Sequence, residues 1–161
     1  RGALWVCGAA AAAPVADMLQ GDVHRDAKGL GLPLQTLTDE CEIDACINRE
    51  KRVFTRAGRK FQLKQEFDKN GSRSTGSAVW EGDVVLTKYM DKDLPQGYWN
   101  GKTVLELGAG IGFAGMVAAL LGAKDVVLTD GDERVLDLAK RNVEANLKPE
   151  EVKKSSLIYE R

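Results

Sequence analysis

Residues 103–112 read TVLELGAGIG, a short apolar run that passes directly into a loop containing three glycines. The run has the length and composition of a buried strand. The residues that follow, 113–121, are apolar on every face, as expected of a helix packed against a sheet. The order strand, glycine loop, helix is typical of an α/β sheet that binds a ligand at the carboxyl ends of its strands.

The same alternation continues downstream. Gly122 ends the first helix, and residues 125–130 form a second apolar strand. An amphipathic helix is predicted over 132–147 and is stopped by Pro149, and a third strand is predicted over 156–159. Strands that alternate with helices across short loops predict a Rossmann-like, doubly wound parallel sheet.

Upstream of residue 101 the pattern differs. Alternating apolar residues predict a β-hairpin with strands at 53–55 and 61–67, joined by a turn at 56–59. A polar loop over 68–77 leads to a helix that runs through Met90, with Asp83 as its N-cap. A basic cluster in and before the hairpin (Arg49, Lys51, Arg52, Arg56, Arg59, Lys60) and an acidic one before it (Asp39, Glu40, Glu42, Asp44) are interpreted as solvated faces that compensate each other.

Charge and cysteine content exclude several classes of protein. The 161 residues include 23 basic and 24 acidic side chains, so the net charge of −1 gives no general attraction to nucleic acid or to an anionic membrane. Three cysteines and one histidine provide neither a disulfide framework nor a paired zinc motif, and no metal site is expected. Reduced thiols indicate a cytoplasmic protein.

Residues 1–50 are predicted to be an N-terminal extension, partly disordered, with a linker over 21–37. The apolar stretch from Leu4 to Ala13 is too short to span a bilayer. It is interpreted either as the tail of a signal or transit peptide or as a helix continued from upstream sequence. Residues 51–161 are predicted to be the N-terminal part of a catalytic domain, in a chain that looks like a fragment cut at both ends.

The spacing of the glycines distinguishes between two ligands. A dinucleotide fold requires Gly-x-Gly-x-x-Gly, and Phe113 stands where the third glycine would be. The acid-x-Gly-x-Gly-x-Gly form found here instead suits S-adenosylmethionine (SAM), whose amino-acid end needs close backbone approach at Gly108 and Gly110. Asp130 follows the second strand, 18 residues after Gly112, where a carboxylate can accept hydrogen bonds from the ribose. In the alternative reading, the glycines only make a tight turn and Asp130 caps the next helix.

The chain resembles the seven-β-strand protein-lysine methyltransferases of the family-16 type. The resemblance runs from about Phe61 to Arg161, and the residues that carry it are Gly76-Ser77-Ala78-Val79-Trp80, the helix Val84 to Met90, residues 101–112, Thr129-Asp130 and Arg141 to Leu147. It implies that Trp80 borders a SAM pocket, for which the alternative is a core aromatic, and that Glu106 helps to hold the methionine end of SAM. The complete set of predicted cofactor-binding residues is Trp80, Glu106, Gly108, Ala109, Gly110, Gly112 and Asp130.

The resemblance also implies what this chain does not contain. Family members carry an Asp-x-x-Tyr motif and further strands beyond the point that matches Arg161, so no catalytic residue is assigned; Asp83 and Tyr89 lie near the right region. We therefore expect the chain alone to be inactive and poorly stable, because the strand that begins at Thr103 would present an unpaired apolar edge.

These observations predict a SAM-dependent methyltransferase that acts on a lysine of a protein substrate. We expect it to be a monomer that resides in the cytoplasm or nucleus and binds no nucleic acid or membrane. A methyltransferase for RNA or a small molecule, and a non-catalytic SAM-fold binding module, remain as alternatives. The Asp-x-x-Tyr segment, which lies outside this chain, would distinguish the small-molecule and RNA enzymes from a protein-lysine methyltransferase. An RNA enzyme is also expected to show a basic stripe or stacking aromatic residues, which this chain does not.

Overall fold

The computed structural model describes residues 3–7, 50–66 and 75–161, with side chains from residue 50 onward. The predicted linker, most of the predicted polar loop, the acidic cluster, His24, Cys41 and Cys46 lie outside this part. The elements run in the order β1 (Ala3–Cys7), β2 (Lys51–Arg56), β3 (Arg59–Lys64), a 3-10 turn (Thr75–Ser77), α1 (Glu81–Lys92), β4 (Thr103–Leu107), α2 (Phe113–Leu120), β5 (Asp125–Thr129), α3 (Glu133–Asn146), α4 (Pro149–Lys154) and β6 (Leu157–Glu160).

The main sheet has four strands in the order β1-β4-β5-β6, and every neighbouring pair is parallel. Val104, Val126 and Leu128 are fully buried in its centre. Helices connect β4 to β5 and β5 to β6, so the predicted α/β architecture is confirmed, with strand and helix limits within about one or two residues of those predicted. Pro149 begins the short helix α4 and does not simply stop α3, because proline fits the first helical turn, where its missing N–H is not needed.

Strand β1 corrects one prediction. It pairs in parallel with β4 along its whole length, from Ala3 opposite Thr103 to Cys7 opposite Leu107. The expected unpaired edge of β4 is therefore wrong, and Ala3–Cys7 is a strand and not a helix. The interpretation of the N-terminal stretch as the tail of a signal or transit peptide stays a prediction. A strand inside a parallel sheet is a continuous apolar run, which sequence alone does not distinguish from a targeting segment. The division between an extension up to residue 50 and a catalytic domain after it stays a prediction.

The predicted hairpin is confirmed as β2 and β3, which are longer than expected at the turn. Only Ala57 and Gly58 form the turn, and both have positive φ (49° and 70°), as in the tight turns that match the twist of paired strands. One face of the hairpin is buried, and this face includes Phe54 and Phe61, whose rings lie 5.1 Å and 5.4 Å from that of Phe113 on α2.

Two arginines on the buried face join the hairpin to the segment around α1. Arg52 donates to the carbonyl oxygen of Val79 (3.1 Å), and Arg56 donates to the hydroxyl of Thr87 (3.1 Å). Their guanidinium groups lie 4.9 Å and 5.9 Å from the centre of the Phe54 ring. The interpretation of these two arginines as part of a solvated face is wrong, because both are buried and bonded.

Two asparagines join the hairpin to α3. The Asn142 side chain accepts from the N–H of Lys64 (2.8 Å) and donates to its carbonyl oxygen (3.1 Å). Asn146 does the same with Gln62, at 2.7 Å and 3.0 Å. Since these residues are one helical turn apart and alternate backbone groups of a strand point to the same side, the two amides cover the edge of β3 as a neighbouring strand would.

Helix α1 begins at Glu81, three residues earlier than an N-cap at Asp83 predicts. Trp80 is its N-cap, and Asp83, which was predicted as the N-cap, lies in the first turn, where its carboxylate accepts from the N–H of Trp80 (3.3 Å). Acidic residues are common both at the N-cap and three residues after it, where the carboxylate accepts from the backbone N–H of the N-cap residue. Sequence alone therefore does not show which of these two positions Asp83 occupies. Helix α3 has Asp132 as its N-cap, and the Asp132 side chain accepts from the N–H of Arg134 (3.0 Å).

Candidate functional site

The glycine loop follows β4 at the carboxyl edge of the sheet. Gly108, Gly110 and Gly112 all have positive φ (63°, 54° and 79°), a conformation that residues with a side chain rarely adopt. The N–H of Ala109 donates to the carbonyl oxygen of Thr129 at the end of β5 (2.7 Å). The loop is therefore bent back across the ends of two neighbouring strands.

Asp130 holds this loop against the start of α3. Its two carboxylate oxygens accept from the N–H of Gly110 (3.1 Å) and the N–H of Asp132 (3.0 Å). A carboxylate offers about four acceptor positions, so two remain for a ligand. The helix is capped by Asp132 and not by Asp130, which removes the alternative that Asp130 serves only as a cap.

The 3-10 turn Thr75–Ser77 closes the site from the other side. A side chain added at Gly110 would place its first carbon 3.1 Å from the carbonyl oxygen of Gly76, and one added at Gly76 would place it 3.4 Å from the Asp130 carboxylate. Gly76 was not predicted as a site residue, because the fold, and not spacing in the sequence, brings it to the glycine loop. The feature of the sequence that could have indicated it is its place in the run Gly76 to Trp80, which carries part of the family resemblance.

Trp80 is attached to the same turn. Its indole N–H donates to the carbonyl oxygen of Thr75 (2.6 Å), and 38% of the residue is exposed. Trp80 is therefore not a core aromatic. Together, Trp80, Gly76, Gly110 and Asp130 lie along one connected set of contacts, and the role of Trp80 at the border of a cofactor pocket stays a prediction.

Two of the predicted residues face inward. Ala109 is buried, and a side chain at Gly112 would place its first carbon 3.2 Å from Leu128 of β5 and 3.3 Å from Ala139 of α3. The glycine at 112 thus allows the loop to pack against strand and helix. Neither residue presents a side chain to a ligand, and their N–H groups already donate within the protein, that of Ala109 to Thr129 and that of Gly112 to Ala109.

Glu106, the acid before the loop, is almost completely buried, with 1% of its surface exposed. One carboxylate oxygen accepts from the N–H of Gly115 in α2 (2.8 Å), and a side chain at position 115 would come within 2.9 Å of that oxygen and would overlap Leu128. The other oxygen of Glu106 has no hydrogen-bond partner among the described residues. A buried acceptor without a partner is costly, and a ligand that donates a proton or carries positive charge would satisfy it.

Two acids near the loop, Glu106 and Asp83, have raised pKa values. Burial, and secondarily the Asp83 carboxylate, raise the pKa of Glu106 well above its ordinary value, against the hydrogen bond from Gly115. Burial also raises the pKa of Asp83 to about 6, although the hydrogen bond from Trp80 and the charge of Arg52 lower it. In both acids burial is the largest cause of the shift, and it favours the protonated form.

The structure assigns no catalytic group. Tyr89 is 39% exposed near the end of α1, and no described contact links it to the glycine loop. Within residues 3–7, 50–66 and 75–161, no group of three or more histidine, cysteine or acidic side chains is placed to hold a metal ion. No helix in the same ranges has the length and apolar character needed to cross a bilayer.

Comparison with known proteins agrees with this geometry. A model of the lysine methyltransferase family matches residues 59–161, which is more than half of the chain. The chain belongs to the lysine methyltransferase family. The match includes β3, the glycine loop and Asp130, and it confirms the resemblance stated from sequence.

Individual relatives carry the same family name. The chain is 40% identical over 97 residues to protein N-lysine methyltransferase METTL21A of Mus musculus, which covers 60% of this chain and 41% of the relative. It is 36% identical over 104 residues to the protein of the same name from Danio rerio, covering 63% of this chain and 43% of that relative. The calmodulin-lysine N-methyltransferase of Arabidopsis thaliana is 44% identical over 68 residues, which is 42% of this chain and 22% of the relative. The chain matches less than half of the length of each of these relatives.

Proposed function

We propose that this chain is the cofactor-binding part of a SAM-dependent methyltransferase that methylates a lysine of a protein substrate. The observation that carries the proposal is the meeting of Gly110, Gly76 and the Asp130 carboxylate at the carboxyl edge of the sheet. Relatives named protein N-lysine methyltransferase support the choice of a lysine in a protein over RNA or a small molecule.

The residues present suit SAM. At Gly108 and Gly110 the loop has no side chains, so backbone can approach an amino-acid moiety closely. The free acceptor positions of Asp130 can bind two ribose hydroxyls, and the unpartnered oxygen of Glu106 is a buried acceptor next to the loop, available to a positively charged amino group. The exposed indole of Trp80 supplies a flat apolar surface at the border of this region.

When bound, SAM supplies a methyl group on a sulfonium that a neutral lysine amine can attack directly. The described residues contribute binding and orientation: the glycine loop and Asp130 fix the position of the donor, which reduces the entropy that the reaction must lose. Asp83, with a pKa of about 6, is ionised at neutral pH and adds negative charge near Glu106. No described residue is proposed as the base that receives the proton of the lysine.

Calorimetric titration with SAM tests the assignment of Asp130. Asp130→Ala removes the carboxylate that we propose binds two ribose hydroxyls and that also accepts from the N–H groups of Gly110 and Asp132. We therefore expect SAM to bind at least roughly ten- to a hundredfold more weakly. Asp137→Ala, which removes an exposed carboxylate from α3, is the matched control and should bind SAM as the wild type does.

A titration with NADH checks the choice of cofactor. We expect it to bind far more weakly than SAM, because the loop has Phe113 in place of the third dinucleotide glycine. NADH binding as tight as SAM binding, or unchanged SAM affinity in Asp130→Ala, would contradict the proposal.

A further inference from the structure

A groove of about 370 Å³ lies between the exposed face of the hairpin and α3, and none of its lining residues belongs to the glycine loop. Four of its lining side chains are cations: Lys51, Lys60, Lys64 and Arg141. Asn142 and Asn146, whose amides are already bonded to β3, also line it. We refer to this site as the basic groove.

The fold brings together charges that are scattered in the sequence. Lys51 lies directly opposite Lys64 in the β2–β3 register, and Lys60 lies on the same face of the hairpin. Like charges that face each other across two strands repel and destabilise the pair. Arg141 on α3 adds a fourth positive charge from the other wall.

Among the described residues, only Glu66 offsets these charges. Its carboxylate lies 2.8 Å from Arg141 and 3.2 Å from Lys64. No carboxylate in the described ranges lies within ion-pair distance of Lys51 or Lys60. By contrast, the charge of Arg59, on the other face of the hairpin, is compensated, because Arg59 donates two hydrogen bonds of 2.7 Å to the Glu151 carboxylate.

The chemistry of the groove indicates the kind of partner. Several exposed ammonium groups suit carboxylates, and the lining contains no aromatic ring on which a base could stack, as single-stranded nucleic acid binding requires. The balanced net charge of the chain also provides no long-range field for a polyanion such as RNA. A protein segment with a few acidic residues needs only the local charges.

We propose that the basic groove binds an acidic segment of the protein substrate. That the partner is the protein substrate rests on the proposed function. That the bound segment is acidic rests on the charges of the groove. It adds a docking site on the hairpin and α3, whose four cations all lie outside the glycine loop.

Fluorescence anisotropy with a labelled oligoglutamate peptide tests the proposal, with an oligoglutamine peptide of the same length as the neutral comparison. We expect the chain to bind the acidic peptide in a salt-sensitive manner and not to bind the neutral one. The double variant Lys51→Gln with Lys60→Gln should weaken binding at least about tenfold, equivalent to about 1.4 kcal/mol. Lys153→Gln with Lys154→Gln removes the same charge from the exposed surface of α4 and should leave the affinity within about twofold.

Four results would overturn the proposal. The first is equal weakening by both double variants, which would show a general charge effect. The second is binding of oligoglutamine as tight as that of oligoglutamate. The third is a single-stranded oligonucleotide that binds more tightly than the acidic peptide and loses affinity in the groove variant. The fourth is an acidic peptide that binds tightly only after Asp39, Glu40, Glu42 and Asp44 are changed to their amides, which would mean that the chain's own acidic run occupies the groove.

SAM titrations on the same proteins separate this proposal from the proposed function. The groove variant should bind SAM normally, because it leaves the glycine loop and Asp130 unchanged. A wild-type chain that binds the acidic peptide but not SAM would overturn the proposed function and leave the acidic partner of the groove standing.

Discussion

The glycine-loop site and the hairpin edge both depend on side chains that bond to backbone, yet they use different chemistry. At the loop, the carboxylates of Asp130 and Glu106 accept from three backbone N–H groups, those of Gly110, Asp132 and Gly115. At the edge of β3, the amides of Asn142 and Asn146 both accept and donate. A carboxylate only accepts and keeps unused acceptor positions and charge, whereas an amide can match both groups of a strand edge. The first arrangement leaves capacity for a ligand, and the second leaves little.

Gly110→Val should break the loop site most severely. Valine would have to adopt positive φ and would place its first side-chain carbon 3.1 Å from the Gly76 carbonyl oxygen, so we expect SAM affinity to fall more than a hundredfold or to be lost. Gly101→Val is the matched control, because Gly101 also has positive φ (71°) but has nothing within 4 Å of an added side chain. Titration of both variants with SAM measures the effect. If both lose SAM equally, backbone strain and not the contact with Gly76 is responsible.

Asn142→Ala tests the hairpin edge. Asn142 is buried, and its loss leaves the N–H and carbonyl groups of Lys64 without their partner, so we expect stability to fall by about 2 to 4 kcal/mol. Asn146→Ala, at a partly buried position, should cost about 1 kcal/mol. Thermal melts measure both changes. Hydrogen exchange adds position: in Asn142→Ala the amide of Lys64 should exchange faster while that of Gln62 stays protected, and equal acceleration at both would show that the edge is not held residue by residue.

Asp83→Asn examines the pH dependence that carboxylates bring and amides do not. The pKa of Asp83 rises from 3.8 to about 6 on folding, so the folded protein binds this proton more tightly than the unfolded chain does. The free energy of unfolding should therefore fall by about 2 to 3 kcal/mol in total as pH rises from about 4 to about 6. Above that range, ionisation of Asp83 should change it little. Denaturant unfolding at several pH values compares the variant with the wild type. Over this pH interval the stability of the variant should increase relative to that of the wild type. If the difference between the two proteins does not depend on pH, Asp83 is not the origin of the pH dependence.

Local spacing predicted the part of the site that is encoded locally. The strand, the loop and Asp130 lie within 28 residues, and their order defines where the loop crosses the sheet. Gly76 and Asn142 were not recognised, because each acts on a partner more than 30 residues away, Gly110 and Lys64 respectively, and spacing carries no information about such contacts. The basic groove was not predicted for the same reason. Acids that are near its lysines in the sequence balance their charge there, but among the described residues only Glu66 forms ion pairs with the cations of the groove. Strand β1 shares its apolar composition with targeting segments, so composition alone did not identify it.

The asparagine cover of β3 also has a consequence for biogenesis. The residues it joins are 78 and 84 positions apart, so both backbone positions of β3 leave the ribosome long before Asn142 and Asn146 do. At synthesis rates of about 5 to 20 residues per second, that interval is roughly 4 to 17 seconds. During this time the hairpin has an edge with unpaired hydrogen-bonding groups, the state in which nascent strands are most prone to associate with one another. The exposed lysines of β3, at positions 60 and 64, place like charges beside that edge and oppose such pairing until α3 is synthesised.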